Sequence, residues 1–86
     1  MYFYVYLIVT KFKKKIISYV GYTNNLRKRL NLHNSSKGAK FTRGKKWEIA
    51  YYKEYSSKIK AMKEEYLLKK NIKKRNMIKK DYFRKL

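Results

Sequence analysis

An α/β domain is predicted, with a small antiparallel sheet of about three strands flanked by helices, in the order β-β-α-β-α plus a C-terminal helix. Three observations predict it. Two runs rich in aromatic and β-branched residues, 2–9 and 16–22, flank a short basic segment. A third such run, 47–55, lies between two stretches with helical spacing. No internal repeat, linker or composition break interrupts the 86 residues, so residues 1–86 read as one domain with a small core.

The first run, Tyr2 to Val9, is apolar throughout and reads as a buried strand. Residues 10–15, Thr-Lys-Phe-Lys-Lys-Lys, read as a basic turn. Ile16 to Tyr22 then returns antiparallel to the first strand, and Gly21 near its end signals a close backbone approach or a sharp exit. Thr23 or Asn24 is the expected cap of the first helix, with Leu26 and Leu30 on its buried stripe. At about 100° per residue, Arg29 and His33 lie roughly 40° apart beside that stripe, whereas Arg27 and Lys28 fall outside it. Ser35 to Lys46 is a cation-rich loop, and Trp47 to Tyr55 the third strand. Ser56 or Ser57 caps a second long helix whose apolar positions are Ile59, Ala61, Met62, Tyr66, Leu68 and Ile72. Lys73 to Leu86 is basic and helical.

Composition narrows the chemistry. With no Cys, disulfides and cysteine-based zinc sites are excluded. The single His, His33, excludes His-rich metal sites. Glu48, Glu54, Glu64, Glu65 and Asp81 are the only acids, too few and too scattered for a two-metal carboxylate clamp. A site with one ion and one carboxylate is compatible. The balance of 25 Lys+Arg against 5 Asp+Glu, net +20, favours a phosphate polymer through counterion release, although an AT-rich coding bias also enriches Lys. The run Tyr2–Val9 is far short of a membrane span, so no membrane partner is expected. The expected setting is cytoplasmic, or inside a host cell if the source is viral.

On the second helix, Glu65 falls inside the apolar arc and Glu64 outside it, facing solvent. A carboxylate on an apolar border is unfavourable unless paired or metal-bound. Glu65 is therefore the ligand candidate, with an i, i+4 salt bridge to Lys69 as the competing reading.

Four motifs occur in order: Tyr4-Val5-Tyr6; Tyr19-Val20-Gly21 with Arg29 ten residues after Tyr19 and His33 four further on; Lys37-Gly38-Ala39-Lys40-Phe41-Thr42-Arg43-Gly44; and Glu65-Tyr66-Leu67-Leu68-Lys69-Lys70. Over roughly residues 2–75 this series resembles the GIY-YIG endonucleases, in their small single-domain branch. It departs in having Tyr4 where the name-giving glycine stands, and Met77, beside Asn76, where larger relatives carry an asparagine.

The resemblance implies a metal-dependent endonuclease, a hydrolase of DNA phosphodiester bonds with low sequence specificity. Glu65 would hold Mg²⁺ or Mn²⁺, and Arg29 would offset phosphoryl charge. Tyr6 would serve as general base with Tyr19 orienting the water or phosphate, the reverse assignment staying open. His33 would relay a proton or bind phosphate. Arg27, Lys37, Lys40, Thr42, Arg43 and Lys69 would contact the nucleic acid. The expected partner is single- or double-stranded DNA, ahead of RNA, and a dimer is compatible. The competing function is a non-catalytic nucleic-acid-binding protein that retains the nuclease fold.

Overall fold

The structure is a computed structural model, and it describes residues 1–84. The elements run β1 (Phe3–Phe12), β2 (Lys15–Thr23), α1 (Leu26–Asn34), a single 3₁₀ turn (Lys40–Thr42), β3 (Glu48–Tyr55), α2 (Lys58–Lys70) and α3 (Ile72–Arg84). This is the predicted α/β order. The three strands form one antiparallel sheet in the order β2-β1-β3.

As the central strand, β1 is covered on both faces, which is why Val5 to Thr10 are all buried. Its period of two divides the core. Val5, Leu7 and Val9 pack with Val20 against Ala61 and Leu68 of α2, joined by Ile78, Tyr82 and Phe83 of α3. On the opposite face, Tyr6 and Ile8 pack with Trp47, and Tyr19, Leu26 and Leu30 close around them. Tyr6 therefore belongs to the α1 side of the sheet. Leu7 pairs with Tyr51 and Ile8 with Ile49, so Ala50 is the extra residue of a β-bulge.

The β1–β2 turn is shorter than the six basic residues expected. Pairing continues to Phe12↔Lys15, leaving a two-residue turn of Lys13 and Lys14 with φ of 52° and 67°. Positive φ at both central positions is what a type I′ hairpin turn requires, and it matches the twist of the strands. Lysine meets that requirement at a cost its side chain does not reveal in sequence. Lys13→Asn with Lys14→Gly is expected to stabilise the domain by about 1 kcal/mol, since the pair releases two strained backbones. Urea unfolding followed through Trp47, the chain's one tryptophan, checks this. An unmoved midpoint would mean that the turn carries no strain.

Helix caps also differ from expectation. Strand β2 runs on through Thr23, whose hydroxyl accepts from the Asn25 N–H at 3.2 Å. This local turn hands the cap to Asn25, whose Oδ1 accepts from the Lys28 N–H at 3.0 Å. Ser57 caps α2. The second helix ends sooner than expected: Asn71 closes α2 and at once caps α3, its Oδ1 accepting from the Lys74 N–H at 3.0 Å.

The phase of α2 is the larger correction. Of the six apolar positions expected inward, only Ala61 and Leu68 are buried, while Ile59, Met62, Tyr66 and Ile72 are exposed. The stripe turned to the sheet is 61, 64/65, 68, at spacings of three and four. Glu64 and Glu65 both lie between its two buried anchors, and both are half-buried.

Two ion pairs occur among the described residues, Glu65–Lys69 at 3.6 Å and Asp81–Arg84 at 2.9 Å. Tyr82 donates to a carboxylate oxygen of Glu48, tying α3 to β3. Among the described residues, no helix is long and apolar enough to cross a membrane.

Candidate active site

On the α1 face, β1 presents Tyr6 beneath α1. Its β2 partner in register is Gly21. A Cβ on Gly21 would collide with the Tyr6 hydroxyl and the ring carbon that bears it, so glycine is required for the tyrosine to lie flat along the sheet. One helical turn separates Arg29 from His33, and both turn toward Tyr6. The Arg29 Nε–H donates to the Tyr6 hydroxyl at 3.4 Å, a long contact. His33 Nε2 lies 2.9 Å from the same hydroxyl.

His33 has no exposed surface at all. Its Nδ1 lies 2.8 Å from the Thr42 hydroxyl, which donates to the Ala39 carbonyl at 2.8 Å. The Trp47 indole N–H donates to the Thr42 carbonyl at 2.9 Å. Trp47 is in turn held by Asn34, whose side chain accepts from the Trp47 N–H at 2.6 Å and donates to its carbonyl at 3.1 Å. The end of α1 is thereby bolted to the start of β3, and the loop between them is drawn against the imidazole. Gly38 makes this approach feasible, because a Cβ there would strike His33 Nδ1.

Tyr19 borders the same site. Its ring meets His33 edge-on, with centroids 5.2 Å apart, and stacks on the exposed Phe41 at 6.2 Å. Glu65 reaches the site through its charge: the carboxylate opposes ionisation of Tyr6.

Electrostatics set the resting protonation. Burial raises the Tyr6 pKa, the neighbouring Arg29 partly offsets this, and Tyr19 and Glu65 add to the rise. Burial and then the Arg29 charge lower His33 to about 4. The imidazole is thus neutral at pH 7.

Through that shift, stability should depend on pH. Above the ordinary histidine value of about 6.5, folded and unfolded chains both carry a neutral ring and the contribution is complete. As pH falls from 6.5, the unfolded chain takes up a proton that the folded one refuses, so stability drops until the folded ring protonates near pH 4. Urea midpoints measured from pH 7.5 to 4.5 should decline through this window. A midpoint that stays level would contradict a buried neutral His33.

Of the residues expected in the site, Tyr6, Tyr19, Arg29 and His33 come together on one face. Glu65 sits on α2 with 18% of its side chain exposed, paired to Lys69. Two of the expected residues lie deeper than contact with a nucleic acid suggests: His33 is sealed from solvent, and Thr42 is fully buried with its hydroxyl engaged twice. One correction concerns Glu64, which does not face bulk solvent. It lies beside Tyr55, whose pKa is raised by burial first and by the Glu64 charge next. Arg27, Lys37, Lys40 and Arg43 are exposed. Asn34, Gly38 and Trp47 were not foreseen as parts of the site. The one signal available was their sequence proximity to the lone histidine.

Comparison with known proteins identifies the family. Residues 2–79 match the family model described as the GIY-YIG catalytic domain. A UPF0213 protein of Oceanobacillus iheyensis is 52% identical over 52 residues, covering 59% of this chain and 60% of the relative. One from Clostridium perfringens is 39% identical over 66 residues, covering 76% and 70%. The solution NMR structure of a UPF0213 protein from Bacillus halodurans is 34% identical, with a TM-score of 0.48, covering 91% of this chain and 83% of that one. The chain spans 53–60% of the length of the first three curated relatives it matches. With nine-tenths of its length inside the family model, and with relatives such as the one from Clostridium perfringens matching across three-quarters of it, the chain belongs to the GIY-YIG family, alongside the UPF0213 proteins.

Proposed function

We propose that this chain is a divalent-metal-dependent endonuclease that hydrolyses DNA phosphodiester bonds with low intrinsic sequence specificity, residues 1–86 acting as one nuclease domain. The observation that carries this reading is the hydrogen-bonded series from Arg29 to Tyr6 to His33 on one face of the sheet. A buried tyrosine satisfied only for packing would need one partner. This one has a cation on one side and a neutral imidazole on the other.

The donor set fits one ion. Among the described residues no group of three or more His, Cys, Asp or Glu converges. A single half-buried carboxylate suits Mg²⁺ or Mn²⁺, which retain several waters and take oxygens from a substrate phosphate. Glu65 would hold such an ion, which when bound would supply positive charge to the phosphoryl group and the leaving oxygen. Lys69, the present partner of Glu65, is half exposed and can turn to phosphate instead.

The chain's own residues do the rest. Tyr6 accepts the proton of the attacking water as its own proton moves to His33, so no free phenolate need form in the buried site. Tyr19, at the edge of the site, orients the water or phosphate. Arg29 offsets charge that builds on the phosphoryl oxygens. Arg27, Lys37, Lys40 and Arg43 bind the polynucleotide backbone without reading bases. The setting we propose is the cytoplasm, or the inside of a host cell if the source is viral.

Incubation of labelled single- and double-stranded oligonucleotides with Mg²⁺ or Mn²⁺, against an EDTA control, tests the proposal. Cleavage that EDTA abolishes is expected. Tight binding with no cleavage in either metal would instead identify a non-catalytic nucleic-acid-binding protein.

A further inference from the structure

We infer that Thr42 is a positioning residue for the proposed hydrolysis: its hydroxyl, anchored on the Ala39 carbonyl, holds His33 in the Nδ1–H form and so keeps Nε2 bare to receive the Tyr6 proton. The inference rests on the nuclease reading for its catalytic half and on hydrogen-bond counting for its structural half.

The hydrogens of the series are fixed from its two ends inward. The Ala39 carbonyl can only accept, so the Thr42 hydroxyl, with its single hydrogen, donates there. Thr42 Oγ1 is then an acceptor toward His33, and Nδ1 carries the hydrogen. A neutral imidazole has one N–H, so Nε2 is an acceptor and the Tyr6 O–H donates to it at 2.9 Å. At the other end, the Arg29 guanidinium can only donate, and it donates to Tyr6. Every donor thus finds an acceptor along one directed series, Arg29 to Tyr6 to His33 to Thr42 to Ala39.

The opposite tautomer breaks it. With the proton on Nε2, Nδ1 and the Ala39 carbonyl would compete for the one Thr42 hydrogen, and one 2.8 Å contact would set lone pair against lone pair. The Tyr6 oxygen would receive two N–H groups, and its own proton would have no acceptor in the series. A second ring contact fixes the first: which nitrogen of a histidine is protonated follows from the bond the other one makes. Thr42 is itself immobilised, its carbonyl held by the Trp47 indole N–H.

The proton balance is closed. The attacking water gives a proton to the Tyr6 oxygen while the Tyr6 proton passes to His33 Nε2. The water oxygen bonds to phosphorus as the bond to the leaving oxygen breaks. His33 then returns its proton to Tyr6, which releases one to the leaving oxygen by way of solvent. The net change is one water added across the phosphodiester.

Since His33 is the chain's only histidine, ¹⁵N NMR of the free protein reads one imidazole without ambiguity. At pH 7 the wild type should show a protonated Nδ1 and a bare Nε2. Thr42→Val keeps the shape and removes the acceptor. It should shift the proton toward Nε2 and cut the cleavage rate by about 10²-fold, with DNA affinity unchanged. Thr42→Ser should restore both readouts. If Thr42→Val fails to fold, Thr42→Ala, judged folded by Trp47 fluorescence, replaces it. A protonated Nε2 in the wild type would overturn the inference whatever the cleavage result. Wild-type cleavage by a folded Val or Ala variant would overturn the catalytic half. A wild type that shows the Nδ1–H form yet never cleaves would sink the nuclease reading while upholding the tautomer assignment.

Discussion

Glu65→Gln should abolish cleavage and leave nucleic-acid binding as tight as before, or tighter. The side chain lies on the sheet-facing stripe of α2, where its charge already acts on Tyr6. Its partner Lys69 is the more exposed of the two, so the ion pair is one that a divalent ion can displace. Glutamine preserves the shape but loses the charge that would retain the ion. Metal polarisation of a phosphoryl group is worth several kcal/mol, so a loss of at least ~10²-fold is expected. Removing a negative charge beside the phosphate path favours binding at the same time. Glu64→Gln is the control. That residue shares the stripe but faces Tyr55, so its loss should bring Tyr55 back toward its ordinary pKa and spare cleavage. Equal activity of the two variants would take Glu65 out of the site.

Arg29→Ala is the second large effect. Its guanidinium touches the Tyr6 hydroxyl and depresses His33 through space. Loss of a transition-state charge stabiliser costs about 10²–10³-fold in rate. Removing the same cation should also let the His33 pKa climb back toward 6.5 and leave Tyr6 harder to ionise. The rate of the residual activity should therefore fall off on the acid side at a higher pH than in the wild type. Arg27→Ala, two residues away on the exposed side of α1, should weaken binding by one phosphate contact and leave the rate constant alone. Should Arg27→Ala be the inactive variant, the helical register assigned to α1 would be wrong.

How much of this was legible in sequence varies with the physics involved. The continuous apolar run of β1 and its antiparallel pairing with β2 follow from local pattern, and the sheet is as expected. Arg29 and His33 could be placed together because a helix fixes angles between neighbours. The phase of α2 could not be read that way. Its apolar residues outnumber the buried positions, and a helix docked by only Ala61 and Leu68 leaves Ile59, Met62 and Tyr66 outside. Glu64 and Glu65 are both half-buried, whereas the arc drawn from apolar positions separates them and turns Glu64 to solvent. By resemblance, Thr42 is expected to contact nucleic acid with the cations of its loop, and nothing in the sequence marks it as buried. Its role depends on Asn34 holding Trp47, a contact between residues thirteen apart that no periodicity encodes. The turn at Lys13 and Lys14 was missed for a related reason: the usual Asn-Gly signal is absent, and strand pairing imposes the conformation on lysine.

The scarcity of ion pairs has a consequence for how the domain behaves alone. Twenty-five cations share one small body with five acids, and among the described residues only two pairs form. Unbound, the folded chain works against its own field, and added salt should relieve that repulsion even as it weakens the hold on a polyanion. Ionic strength therefore pulls the protein's two equilibria in opposite directions. Under the proposed function a nucleic-acid strand would resolve the conflict, being at once the ligand and the missing counter-charge, and its binding free energy would add to that of folding. Such a strand would complete the protein, as a lining completes a coat.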